Sequence, residues 1–303
     1  MTLSVPHRSS RAARWLAAAL TIFACGAIDG AAAPPGLAVR VAARSVRPGE
    51  LIVLTVTGAE PIRGVRVRAF DRDLPAYRID ARTWRALVGI DLDVAPRTHT
   101  VSIEARVGVD AAVHATQELR VVRRTFPTRT LRVDEAFVNP PAEMQARIEG
   151  DAAALRQAWQ SSAPERLWTK PFVRPVPGKA VSRFGSRSVF NGQPRAPHGG
   201  ADFISPEGTP VLAPGAGRVL LAHDLYFSGN TVVIDHGLGL FSLLAHLSAF
   251  DVREGELVTE GQTVGRVGAT GRVTGPHLHW AVRAGGARVD PLSVLALLGP
   301  QAR

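Results

Sequence analysis

The chain has 303 residues, 46% of them hydrophobic, with 29 glycines and 22 prolines. That length and apolar content exclude a disordered chain, and the glycine and proline content points to a loop-rich, mainly β protein rather than a helical bundle. A formal charge of +10 favours anionic surroundings, but basic residues are not interleaved with aromatics and no groove-reading motif occurs, so no nucleic-acid partner is expected.

Residues 1–33 have the composition of a signal peptide. His7, Arg8, Arg11 and Arg14 form a basic stretch, Trp15 to Ala27 is an apolar run, and Ala31-Ala32-Ala33 supplies small residues for cleavage. The run falls short of the roughly 20 apolar residues that a membrane span needs. The expectation is export to the periplasm or cell envelope, with no stable membrane span after cleavage. A retained anchor is the weaker reading, as is lipidation at Cys25, because Phe23 fits poorly before the small residue. Cys25 is the only cysteine, so cleavage leaves neither a disulfide nor a thiolate metal ligand.

Residues 36–122 read as short strands divided by turns. Leu37–Val41 alternates, Pro48-Gly49 marks a turn, and further strands are expected at 51–56, 65–67, 86–90 and 100–103. This spacing fits an immunoglobulin-like β-sandwich that serves as a spacer, docking or inhibitory module. His99 and His114 stand alone there and carry no chemistry. Residues 123–180 form a connector: Pro140-Pro141 precedes a helix expected over 142–160, and Pro171, Pro175 and Pro177 follow. Residues 181–300 return to short strands and glycine corners, including 211–213, 217–222, 231–235, 241–244 and 264–267. No βαβ rhythm is present, and an antiparallel sheet is expected.

The chemistry concentrates in this last domain. His277 and His279 are two residues apart, and on a strand they project to one side. His198 and Asp202 offer a second pair of ligand-type side chains, and His246 stands between apolar residues. Imidazole and carboxylate are zinc ligands, and three of them plus water make a catalytic site. No His-Glu-x-x-His occurs, so a general base would be a histidine rather than a helical glutamate. His236, beside Asp235 in a glycine turn, reads as structural, as does His223. Trp280 faces away from His279 and belongs to a core.

From Phe184 to Leu295 the sequence resembles the lysostaphin-type (LytM-domain) zinc endopeptidases of bacterial cell walls. The resemblance is carried by the segment from Gly229 to Gly237 and by Gly271 to His279. It implies that His198, Asp202 and His279 hold Zn2+, that a zinc-bound water is the nucleophile, and that His246 and His277 are catalytic. Which of the two is the base is left open. The implied activity is cleavage of peptidoglycan stem-peptide cross-links, the D-alanine to diaminopimelate bond in particular. Leu244 stands where family members often carry a tyrosine, so a contact from that ring is missing. Some relatives have lost ligands and act as non-enzymatic regulators that bind the wall and activate another hydrolase; all five residues are intact here. The sandwich and connector resemble the extensions of exported Gram-negative members. Because the amino-terminal region is long, free of candidate chemistry and joined through a helical, proline-marked connector, it is expected to restrain the catalytic domain within the chain or to position it on the wall.

Overall fold

The computed structural model describes residues 36–300, apart from 109–110, 133–134, 136–137 and 182–183. The signal peptide expected over 1–33 lies outside the described residues. Among those described, no helix is long and apolar enough to cross a membrane.

The amino-terminal domain is a seven-stranded antiparallel arrangement folded over one core. Its strands are β1 (Leu37–Ala43), β2 (Leu51–Gly58), β3 (Ile62–Ala69), β4 (Arg72–Arg78), β5 (Thr83–Gly89), β6 (Thr98–Val107) and β7 (Ala111–Arg120), in the order β1-β2-β5-β4-β3-β6-β7. Two halves are joined at β4, whose residues through Pro75 pair with β3 and whose Ala76 to Arg78 pair with β5. Pro75 has no N–H to donate, which suits a strand changing partners there. β7 buries Ala115, Gln117 and Leu119 and exposes the residues between them, as a sheet with one wet face requires.

β2 departs from that alternation, because Leu51 to Leu54 are all buried. The reason is a second packed face. Ile52, Leu54 and Val56 fill the sandwich, whereas Leu51 and Val53 join Tyr77 and Leu87 in a core shared with the carboxy-terminal domain. A continuous apolar run therefore marks a strand buried on both sides.

Buried charges reinforce the junction. Arg44 reaches Glu50 at 2.7 Å and Asp290 at 2.8 Å, and Arg124 lies 3.3 Å and 3.5 Å from the same two carboxylates. Leu51 N–H donates to Ser293 Oγ at 2.8 Å, and Arg288 binds Asp91 through Nε and its backbone N–H, both at 2.9 Å. Glu50 and Asp290 are almost fully buried, so losing a cation leaves negative charge out of water. Arg44→Met is expected to destabilise the protein by about 2–3 kcal/mol, below the full cost of breaking a buried pair because Arg124 remains. A thermal melt should show one lowered transition for both domains; an unchanged melt would refute the account.

The carboxy-terminal sheet comprises β11 (Gly200–Phe203), β12 (Pro210–Leu212), β13 (Gly217–Leu225), β14 (Gly229–Asp235), β15 (Leu240–Phe250), β16 (Leu257–Val258), β17 (Thr263–Val267), β18 (Leu278–Ala284) and β19 (Ala287–Val289). Its main path is β11-β18-β15-β14-β13-β16, with β17 attached to β15, β12 to β17 and β19 to β18, all antiparallel. A small sheet of β8 (Thr128–Leu131), β9 (Arg187–Phe190) and β10 (Gln193–Pro194) flanks it, with β8 and β9 parallel. Helix α2 (Pro291–Leu298) is capped by Asp290, whose carboxylate accepts from Leu292 N–H at 3.0 Å.

The segment between the domains does more than connect. A 3-10 turn, Ala142–Met144, leads into α1 (Gln145–Gln160). Helix α1 lays Ala154, Leu155, Ala158 and Trp159 on one face of the large sheet, against Leu221, Val233 and Leu243. Beyond it, Trp168, Phe172 and Val176 are buried in the main core on the other face, beside Trp280. The buried Asp235 carboxylate fastens the crossing, accepting from Ser162 Oγ at 2.8 Å and from Ala163 N–H at 2.7 Å.

Candidate metal centre

Strand β18 presents two faces. Leu278, Trp280, Val282 and Ala284 enter the core, while His279, Ala281 and Arg283 face the other way. Antiparallel pairing sets Asp202 of β11 directly opposite His279, and Ala245 of β15 opposite His279 on the other side. His198 comes from the turn before β11, its N–H donating to Ser186 O at 2.9 Å. Gly200 makes room between them: a Cβ there would lie 2.7 Å from His279 Cε1.

Three donor atoms meet at one point. His198 Nε2 and His279 Nδ1 are 3.0 Å apart, His279 Nδ1 and Asp202 Oδ1 are 3.0 Å apart, and His198 Nε2 and Asp202 Oδ1 are 3.1 Å apart. Two neutral imidazoles and a carboxylate have too few protons to satisfy such a triangle with hydrogen bonds alone. A tetrahedral ion with bonds of about 2.0–2.1 Å would set its donors about 3.3–3.4 Å apart, so the residues fit a metal. Burial works to push the Asp202 carboxyl up, but hydrogen bonds from His198 and His279 win and hold it far below the usual carboxylate range. Burial pushes the His279 imidazole down despite its bond to Asp202, which keeps it neutral and able to ligate.

His246 and His277 stand beside this triangle. His277 Nε2 is 3.9 Å from Asp202 Oδ1, and the His246 ring centre lies 4.9 Å from that of His277 and 6.0 Å from that of His279. Each has its Nδ1 against a main-chain carbonyl, Thr270 O for His246 and Gly275 O for His277, both at 2.9 Å. Nδ1 is therefore the donor in both rings, and in His246, which burial keeps neutral, Nε2 keeps its lone pair. Burial, aided by the neighbouring His279, pushes His246 down to about 3.

His246 turns toward the site through a device that the sequence conceals. The β14–β15 register slips between Asn230 and Val232, which face Leu247 and Leu244, and His246 takes φ 64°. This is a β-bulge with a left-handed residue, costing roughly 1–2 kcal/mol in backbone conformation. Its N–H donates to Ser228 O at 2.9 Å, which helps hold the kink.

Thr270, which has no chemistry of its own, supports the same turn. Its Oγ1 donates to Leu247 O at 2.8 Å and accepts from Asn230 N–H at 2.9 Å, while its carbonyl orients His246. Arg272, two residues on, lies over the rings of Phe227 at 4.7 Å and Phe190 at 5.4 Å. Leu244 is fully buried, and Trp280 is a core residue whose Nε1–H donates to Ser242 Oγ.

His236 lies apart from the cluster, fully buried, between Ala216 O at Nδ1 and Ser242 Oγ at Nε2, both at 2.9 Å. Burial pushes it down to about 4 even though the Ala216 carbonyl favours its proton. An unfolded histidine titrates near 6.5, so between about pH 6.5 and pH 4 the unfolded chain binds a proton that the native state refuses. Stability is expected to fall through that window on acidification by up to roughly 3 kcal/mol from this residue, and to be intact above it. Urea midpoints should therefore drop between about pH 7 and pH 4.5, less steeply in His236→Gln. An equal slope in both proteins would remove His236 from the account.

Residues 196–291 match Peptidase family M23. The peptidoglycan DD-endopeptidase ShyA of Vibrio cholerae is 44% identical over 97 residues, which are 32% of this chain and 23% of that protein. The DD-carboxypeptidase/endopeptidase Mpg of Neisseria meningitidis serogroup B is 46% identical over 97 residues, 32% of this chain and 22% of that protein. The match thus spans under a quarter of the length of these curated relatives. A crystal structure of a putative peptidase M23 from Pseudomonas aeruginosa is 33% identical and covers 83% of this chain and 95% of its own, with a TM-score of 0.64. The chain belongs to peptidase family M23.

Proposed function

We propose that the chain is a zinc-dependent endopeptidase cleaving peptide cross-links of peptidoglycan in the cell envelope. The carrying observation is the convergence of His198, Asp202 and His279 beside two carbonyl-anchored imidazoles. The first three would hold zinc, which when bound supplies a Lewis acid that lowers the pKa of water toward about 7. His246 and His277 each offer Nε2 for proton transfer, as base toward the attacking water or, once protonated, as donor to the oxygen of the tetrahedral intermediate. Their carbonyl tethers fix ring orientation before substrate arrives.

The names of ShyA and Mpg support peptidoglycan as the substrate, and the leader-like first 33 residues support the periplasm or envelope as the place. The non-enzymatic alternative, a wall-binding activator of another hydrolase, would be marked by a missing ligand, and none of the five side chains is missing. For the amino-terminal sandwich we favour positioning over restraint. Its Gly89 packs on Ala284 and Ala287, the end of β18 remote from His279.

The test is digestion of purified wall sacculi by the zinc-loaded protein, with mass analysis of the fragments. Cross-linked muropeptides split at the D-alanine to diaminopimelate bond, and a chelator-sensitive rate, are the expected result. Intact cross-links under these conditions would overturn the proposal.

A further inference from the structure

The amino-terminal domain meets the small sheet along a basic groove remote in role from the metal centre. Two adjoining cavities of about 440 Å³ and 470 Å³ share Pro96 and Arg123 in their linings. Around them stand Arg97, Arg120, Arg123 and Arg187, all exposed. Three of their backbones are held by hydrogen bonds. Thr98 pairs with Arg120 across β6 and β7, Arg97 O accepts from Val121 N–H at 2.9 Å, and Arg187 N–H donates to Pro127 O at 2.9 Å.

Among the described residues, none of these four guanidinium groups has a carboxylate within 4.0 Å, whereas Arg124 in the same lining is taken up by Glu50 and Asp290. The acidic lining residue Asp93 lies 3.8 Å from Arg288. Four uncompensated cations on a rigid frame, gathered at one seam, create a standing attraction for anions that salt screens only beyond about 8 Å.

The groove also states which anion. Guanidinium forks match phosphate oxygens two at a time. Pro48, Leu92, Val94 and Pro96 supply apolar contacts suited to the C–H face of a sugar. Phe126, the one aromatic lining residue, already carries Arg124 over its ring at 4.9 Å, so that face is closed to a stacking nucleobase. We propose that this groove binds a phosphate-bearing saccharide through Arg97, Arg120, Arg123 and Arg187. Arg187 follows Ser186, whose carbonyl accepts from His198 N–H, so one wall of the groove is continuous along the chain with the segment that carries His198.

Binding of a phosphorylated chito-oligosaccharide to the full zinc-loaded chain, followed by calorimetry, tests this. The unphosphorylated oligosaccharide, pyrophosphate and a single-stranded DNA of matched charge form the other arms. The phosphorylated saccharide is expected to bind most tightly. Arg120→Gln with Arg123→Gln should weaken it at least tenfold and leave turnover of a small soluble peptide unchanged. Arg63→Gln with Arg106→Gln, an equal loss of charge near the other end of β6, should change affinity less than twofold. Three results would each overturn the proposal: no binding, equal weakening by both double variants, or DNA or pyrophosphate binding as tightly as the saccharide.

Discussion

Replacing Asp202 by alanine is expected to remove zinc and abolish turnover together. Asp202 Oδ1 touches both ligand-type nitrogens, at 3.0 Å from His279 and 3.1 Å from His198, so its loss opens the triangle and leaves two neutral imidazoles facing each other. Removing an outer-shell partner weakens a metal site by about 10–100-fold, and loss of a ligand should exceed that. Stability supplies a readout that does not depend on catalysis. At free zinc about 1,000-fold above the dissociation constant, a bound ion stabilises the fold by about 4 kcal/mol. The melting temperature of the parent protein should therefore fall on chelation, while that of Asp202→Ala should start low and not respond. Stoichiometric, tight zinc in Asp202→Ala would defeat the ligand assignment.

The second large effect separates the remaining histidines from the ligands. His246→Asn and His277→Ala should each keep zinc yet lose about 10²–10⁴-fold in turnover, the usual contribution of a positioned acid or base. Asparagine is chosen at 246 because it tolerates the left-handed backbone of the bulge. The sharper comparison is His277→Ala with His279→Ala. His279 Nδ1 lies 3.0 Å from Asp202 Oδ1 and His277 Nε2 lies 3.9 Å away, so only the former variant should release metal. If both lose zinc alike, the pair has been assigned the wrong way round.

Much of the fold lies open in the sequence because strand periodicity is local. The alternation at 37–41, the apolar runs at 51–56 and 231–235, and the glycine corners set the strands without reference to partners. β4 and β7 escape such a reading. Pro75 breaks β4, and the inward face of β7 is formed by Ala115, Gln117 and Leu119, too weakly apolar to stand out. The spacing of His277 and His279 puts them on one side of a strand, and His198 and Asp202 are of ligand type on inspection.

What only the tertiary structure decided is how those residues meet. Nothing local pairs Asp202 with His279, because that depends on the β11–β18 register, closed 77 residues apart in the chain. Nor does sequence show that His246 sits on a bulge, since an alanine–histidine–leucine stretch in a regular strand would alternate past the site. The apolar run at 51–54 likewise reads as one strand, yet it serves two cores, and the proline-marked segment that follows α1 turns out to bury Trp168 and Phe172. Periodicity is a property of neighbours along the chain. Register, bulges and two-sided burial arise from contacts between distant segments, and their free energy exists only once the sheets have closed.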